Sequence, residues 1–231
     1  MLFFALLSSC GSRKPTADFK SLDNGLQWVV DATSVDSAKV AIILAVDAGF
    51  VDEGPGEHGW AHFVEHMAFN SVEAYPDQTP VDVLQAHGIP FGTHQNATTG
   101  DMETRYSFTV SSDPATVRLM LEMVAQMAFH QDFRPDQVNK ERGVLHAESR
   151  YRAVDGLGRF LASLYPEENW PHVPDADAVD SATSEELEAF YKEHYLPERM
   201  TLAVSGPVDE ATVDALVREH FGDAERRGER V

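Results

Sequence analysis

The stretch His62-Phe63-Val64-Glu65-His66 decides how this chain is interpreted. Residues four apart lie on one face of an α-helix, so the rings of His62 and His66 can point at one atom. Glu65 lies beside them and can take a proton from a water molecule held at that point. Histidine nitrogen is a common zinc ligand, so the spacing predicts a metallohydrolase helix in the inverted H-x-x-E-H order. A surface helix with solvated histidines is the alternative for so short a pattern.

A third metal ligand has to come from elsewhere, because catalytic zinc takes three protein ligands and a water. The segment Pro135–Arg152 predicts a helix, with acidic residues near its start and arginines at its end, as the helix dipole favours. Glu141 and Glu148 share a face of this helix, so one can bind the metal while the other supports it. His146 is a rival ligand on a different side, and we interpret it as an ordinary, partly exposed histidine.

Four blocks of the chain resemble the pitrilysin, insulinase and mitochondrial processing peptidase family of zinc endopeptidases. They occur in the order that the family has. The blocks are GWAHFVEHMAFN (59–70), NATT (96–99) with Thr104 and Tyr106, ERGV (141–144) with Glu148, and FYK (190–192) through Tyr195 and Pro197. Trp60 and Asn70 depart from the family pattern, and neither is a proposed metal ligand.

The resemblance implies a zinc site with one ion per chain and a role for each candidate residue. In this resemblance the metal ligands are His62, His66 and Glu148. Glu65 is the general base, and Glu141 is the supporting carboxylate. It also implies that the strand with Asn96 and Ala97 is a sheet edge, to which an extended peptide substrate adds through main-chain hydrogen bonds. A plain turn at the end of a strand is the alternative for these two residues.

The chain is strongly acidic, with 38 acidic and 18 basic residues among 231 and a formal net charge of −20. This charge argues against nucleic acid as a partner, because phosphates would be repelled. The length is sufficient for one large domain with a real core.

The first seventeen residues predict a signal and a tether. An apolar run ends in Leu7-Ser8-Ser9-Cys10, which resembles the lipobox of bacterial lipoproteins and contains the only cysteine. The resemblance implies that Cys10 is acylated and that the chain lies on the periplasmic side of the cell envelope, touching a membrane only through its lipid. The run is short and no Lys or Arg precedes it, so a frayed apolar N-terminus is the alternative.

Residues 18–231 predict an α+β fold, a two-layer sandwich in which helices cover a mixed, largely antiparallel sheet. This resembles the fold of mitochondrial processing peptidase-like metallohydrolases. We expect one N-terminal, catalytic-type peptidase domain without its second half, because neither H-x-x-E-H nor the Asn-Ala strand recurs. Predicted strands are 26–30, 39–46, 91–97, 103–110 and 200–205, and the remaining predicted helices are 79–87, 114–130, one from 184 capped by Ser184, and 210–220.

These observations predict a zinc-dependent endopeptidase that hydrolyses extended or unstructured polypeptides, together with a second peptidase half or a homologous subunit. One alternative is a lipid-anchored peptide-binding or assembly subunit of a two-part peptidase, inactive alone. Another is an S-ribosylhomocysteine lyase, which shares the helix motif. That enzyme uses a cysteine ligand, whereas Cys10 lies in the apparent signal.

Overall fold

The computed structural model describes residues 18–32, 38–92, 94–152 and 176–228. The predicted signal with Cys10 therefore lies outside the described residues. None of the helices described has both the length and the apolar character needed to cross a bilayer.

One six-stranded sheet forms the frame of the fold. Its strands are β1 (Lys20–Ser21), β2 (Gln27–Asp31), β3 (Lys39–Val46), β4 (Gln95–Thr99), β5 (Thr104–Ser111) and β6 (Met200–Ser205). They lie in the order β1-β2-β6-β3-β5-β4, and every neighbouring pair is antiparallel except β2 and β6. The predicted mixed, largely antiparallel sheet is confirmed, and β4 lies at its edge.

The prediction for β4 starts four residues too early. Gly92 has a φ of +92° and its N–H donates to the carbonyl of Gln95, so the chain turns there before it extends. From Gln95 onward, β4 pairs with β5 as a hairpin that ends with Thr99 opposite Thr104. Strands β3 and β6 have the predicted bounds.

Seven α-helices lie in the part of the chain that the structure describes. They are α1 (Trp60–Met67), α2 (Pro80–Ala86), α3 (Pro114–Phe129), α4 (Pro135–Arg152), α5 (Ala176–Ser181), α6 (Ser184–His194) and α7 (Glu210–Phe221). The predicted cap of α6 is wrong by one residue. Thr183 caps it, because its hydroxyl accepts the N–H of Glu186 while that carboxylate accepts the N–H of Thr183.

Helix α1 is enclosed by the rest of the fold. Seven of its eight residues are buried, and it packs against α4, α6 and β4. Because the helix has no broad solvent-facing side, its polar residues His62 and Glu65 lie in a protein environment. This argues against a surface helix with solvated histidines.

Candidate metal centre

The start of α1 is fixed by a glycine and a distant carboxylate. Gly59 precedes the helix with a φ of +106°, a conformation that favours glycine. Glu53 Oε1 accepts the N–H groups of Gly59 and Ala61, both at 3.0 Å, so it satisfies two donors at the helix end. Burial raises the pKa of Glu53 to about 7, although these two hydrogen bonds oppose the shift.

The structure brings His62, His66 and Glu148 together. The Nε2 atoms of the two histidines are 3.1 Å apart, and Glu148 Oε2 lies 3.6 Å from that of His62 and 3.7 Å from that of His66. Ligand atoms about 2.0–2.1 Å from a tetrahedral zinc ion are about 3.3–3.4 Å from one another. The three side chains therefore fit one zinc ion, and within the described residues this is the one group of histidines and acids so arranged.

Glu141 lies behind His66 and determines how its ring is used. The Nδ1–H of His66 donates to Glu141 Oε1 at 2.6 Å, which turns Nε2 toward His62 and Glu148. Asn70 Nδ2 donates to Glu141 Oε2 at 2.8 Å and to the carbonyl of His66 at 3.0 Å. Burial lowers the pKa of His66, but the hydrogen bond to Glu141 and the charges of the nearby glutamates outweigh burial and raise it.

Arg142 links α4, the helix that carries both glutamates, to α5 and α1. Its guanidinium donates to the carbonyls of Val179 and Ala182 at the end of α5, the second at 2.8 Å. It also lies over the ring of Phe63, 5.7 Å from the centroid, and so links α4 to α1. The side chain of Glu148 is 40% exposed, yet its Oε2 atom, which faces the two histidines, is shielded from solvent.

Glu65 and the edge strand border the same cavity as the three candidate ligands. This cavity has a volume of about 780 Å³, and Asn96 and Ala97 of β4 line it. Glu65 is buried, and its Oε2 accepts a hydrogen bond of 2.6 Å from the hydroxyl of Thr99. The structure thus brings together every candidate site residue that falls in its described part.

The sequence predictions did not include two residues near the site, Asn70 and Glu53. A third residue, His146, was predicted not to bind the metal. Asn70 is four residues after His66, a spacing that could have indicated contact with the same face. For Glu53, the only indication in the sequence was that an acidic residue ahead of a helix can interact with the N–H groups at the helix start. His146 lies 2.6 Å from Asp180 and is not among the three clustered ligands.

Comparison with known proteins gives consistent matches. Residues 29–156 match the family model described as Insulinase (Peptidase family M16), and residues 181–230 match Peptidase M16 inactive domain. The uncharacterized zinc protease Rv2782c of Mycobacterium tuberculosis is 33% identical over 217 residues, which are 91% of this chain and 48% of the relative.

Solved structures agree with these matches. The crystal structure of the periplasmic protease PqqL from Escherichia coli has a TM-score of 0.85 at 26% identity, covering 94% of this chain and 25% of that chain. The crystal structure of the first half of PqqL has a TM-score of 0.83 at 26% identity, covering 94% of this chain and 48% of that chain. This chain therefore spans a quarter to about half the length of these relatives.

Proposed function

The chain belongs to the insulinase family of peptidases, family M16, and from this premise we propose that it is a zinc-dependent endopeptidase domain acting on extended or unstructured polypeptides. The predicted family and its α+β metallohydrolase fold are confirmed by the same comparisons. The observation that carries the proposal is the triangle of His62, His66 and Glu148, with Glu65 on the wall of the same cavity.

In the proposed site, two histidines of the inverted H-x-x-E-H motif and Glu148 hold one zinc ion per chain. The mutual distances of their ligand atoms support this assignment. The chemistry that bound zinc supplies in hydrolases is polarisation of the scissile carbonyl and a lowering of the pKa of water to about 7. Glu141 orients His66 through its Nδ1–H.

Glu65 is the general base in this proposal. It accepts the proton of the attacking water and passes it to the leaving amine, so it acts as base and then as acid. The substrate adds to β4 as a further strand through the main chain of Asn96 and Ala97, because β4 is the sheet edge beside the cavity. Main-chain recognition predicts loose sequence specificity.

The proposal extends to the wider organisation of the protein. Residues 18–231 act as one catalytic-type domain that works with a second peptidase half or a homologous subunit. PqqL, which has a structurally similar first half, supports this arrangement. We also infer a periplasmic location, with residues 1–17 as signal and tether and Cys10 as the lipid attachment site. The sequence supports the anchor, and the description of PqqL as periplasmic supports the location.

The test is Glu65→Gln, measured as cleavage of an unstructured peptide by the chain alone and with its second half. We expect the variant to retain zinc and to lose at least about 100-fold in kcat, as removal of a general base does. Glu219→Gln, at a half-exposed glutamate of α7, is the matched control and should keep its activity. Full activity in Glu65→Gln would refute the assignment. Zinc and peptide binding by the parent chain without any cleavage would support a peptide-binding subunit instead.

A further inference from the structure

A row of hydroxyl groups lies behind Glu65 and has no part in the mechanism above. The Thr99 hydroxyl is 2.6 Å from Glu65 Oε2, and Thr99 faces Thr104 across the β4–β5 pair, with 3.4 Å between their hydroxyl oxygens. Thr104 in turn donates to the carbonyl of Ala48 at 2.9 Å. The hydroxyls of Tyr106 and Tyr195 are 2.7 Å apart, and Tyr195 also interacts with Thr104.

The single proton of each threonine hydroxyl determines the direction of these hydrogen bonds. An ionised carboxylate can only accept, so Thr99 donates its proton to Glu65. The proton of Thr104 is directed to the carbonyl of Ala48, which leaves the oxygen of Thr104 as an acceptor. A hydroxyl that donates to a carboxylate at 2.6 Å makes a short, charge-assisted hydrogen bond, stronger than one between neutral groups.

We propose that Thr99 is a positioning residue, whose hydroxyl fixes the orientation of the Glu65 carboxylate toward the cavity. The proposal rests on the proposed peptidase function. Proton transfer requires the base to lie within hydrogen-bonding distance of the attacking water, and a freely rotating carboxylate meets that condition only part of the time. Thr99 thereby contributes to kcat by acting through Glu65.

The surroundings of Thr99 are rigid enough for this task. Thr104 is 1% exposed, and the Tyr106 and Tyr195 side chains next to it are buried as well. The pair of tyrosine hydroxyls joins β5 to the end of α6, so the strand opposite Thr99 is held from two directions. Buried and mutually satisfied polar groups of this kind restrict motion.

The position of Thr99 also connects the base with the substrate edge. Thr99 is the last residue of β4, and Asn96 and Ala97 lie three and two residues before it, respectively, on the same strand. A peptide that pairs with this strand is therefore aligned on the element that orients the base. The same strand, β4, thus positions both the substrate and the Glu65 carboxylate, which suits a reaction whose rate depends on how these groups are placed.

Two substitutions of Thr99 separate the hydroxyl from the rest of the side chain. Thr99→Val keeps the shape and removes the hydroxyl, whereas Thr99→Ser keeps the hydroxyl. Thr109→Val is the matched control, because it makes the same change on β5, where alternation points Thr109 away from the face of Thr104. Each full chain is assayed with its second half for kcat, KM, zinc content and melting temperature, and is crystallised with zinc.

We expect kcat of Thr99→Val to fall at least about 10-fold, a part of the 10²–10⁴-fold that general base catalysis supplies, with KM and zinc content unchanged. Thr99→Ser should recover kcat to within about 3-fold of the parent. In crystals, the Glu65 carboxylate should be turned or disordered in Thr99→Val and placed as in the parent in Thr99→Ser.

The opposite results overturn the proposal. A Thr99→Val variant with parental kcat and an unmoved Glu65 carboxylate shows that the hydroxyl does not position the base. A loss that Thr99→Ser fails to recover, accompanied by a lower melting temperature, shows a purely structural role. If the parent chain cleaves no peptide, the proposed function fails by itself, and the orientation of Glu65 in the crystals still decides the role of Thr99.

Discussion

Helices α1 and α4 supply the proposed metal ligands, but they are held in different ways. Helix α1 has eight residues, seven of them buried, and Glu53 caps its first turn. Helix α4 has 18 residues, is mostly polar in sequence, and carries Glu148 near its end with 40% of the side chain exposed. One helix is thus enclosed by the rest of the fold, whereas the other presents its ligand from a partly open position.

This difference has an energetic consequence. Burying polar groups costs free energy unless they find partners, so the desolvation of His62, Glu65 and His66 is part of the folding of α1. The hydrogen bonds from Thr99 to Glu65 and from His66 to Glu141 offset that cost. The Glu148 side chain is 40% exposed although its Oε2 is shielded, so less of its desolvation belongs to folding and its binding to a metal adds a separable contribution. The site therefore combines a rigid part with an adjustable one.

The largest expected effect compares one ligand from each helix, His62→Ala and Glu148→Ala. Both should weaken zinc binding by more than about 100-fold, which exceeds the 10–100-fold typical when only an outer partner of a ligand is lost. Stability without metal should differ, because His62 is buried and Glu148 is partly exposed. Without metal, we expect the free energy of unfolding to fall by about 1–3 kcal/mol in His62→Ala and by less than about 0.5 kcal/mol in Glu148→Ala.

Chelator competition measures the zinc affinity of both variants, and denaturant unfolding in excess chelator measures their stability. Asn139→Ala, an exposed change on α4, serves as the control: it should leave zinc affinity unchanged and should not lower stability, because alanine favours a helix more than asparagine does. Equal destabilisation of the two metal-free variants would contradict this difference between the helices, because it would show that α4 is held as firmly at Glu148 as α1 is at His62.

The second expected effect concerns the cap of α1 and depends on pH. Burial raises the pKa of Glu53 from 4.5 to about 7, so the folded state binds this proton more tightly than the unfolded state does. The stability that Glu53 contributes is therefore full below pH 4.5 and is lost as pH rises through about 7. Because the Glu53 carboxyl is partly hydrated, we expect the free energy of unfolding to fall by about 2 kcal/mol between pH 4.5 and about 7.

Glu53→Gln isolates this pH dependence, since its amide oxygen still accepts from Gly59 and Ala61 but carries no charge. The free energy of unfolding of the variant, relative to the parent, should increase steadily from pH 4 to pH 8. Glu219→Gln, at a half-exposed ion pair, is the control and should change the free energy of unfolding by less than about 1 kcal/mol. A difference for Glu53→Gln that does not vary with pH would mean that the carboxyl of Glu53 titrates normally and that the start of α1 is more open than the structure indicates.

The sequence predicts α1 and α4 well because their signals are local. The i, i+4 spacing of His62 and His66, and the acids and arginines at opposite ends of α4, need no knowledge of the fold. Spacing alone could not divide the roles of Glu141 and Glu148, which share a face. Their separation depends on the distance from α4 to α1, which places Glu141 at Nδ1 of His66 and Glu148 near its Nε2.

Other features depend on contacts between distant parts of the chain, and no local pattern predicts them. Glu53 reaches α1 across a glycine-rich turn, and Thr99 meets Glu65 from a strand 34 residues away. The parallel pairing of β2 with β6 joins segments from opposite ends of the described chain. Such pairings follow from packing of the whole sheet, whereas period-2 patterns predict only that the strands exist.

The smallest expected effect tests the hydrogen bond between Glu141 of α4 and His66, a proposed ligand on α1. In Glu141→Gln the amide oxygen can still accept from His66 Nδ1–H, but the negative charge is lost and the new NH₂ group faces the donor of Asn70. Zinc affinity should fall about 10-fold, or about 1.4 kcal/mol, at the lower end of what such outer partners contribute. Isothermal titration with zinc measures it. Affinity within about 2-fold of the parent would show that α1 orients His66 without help from α4.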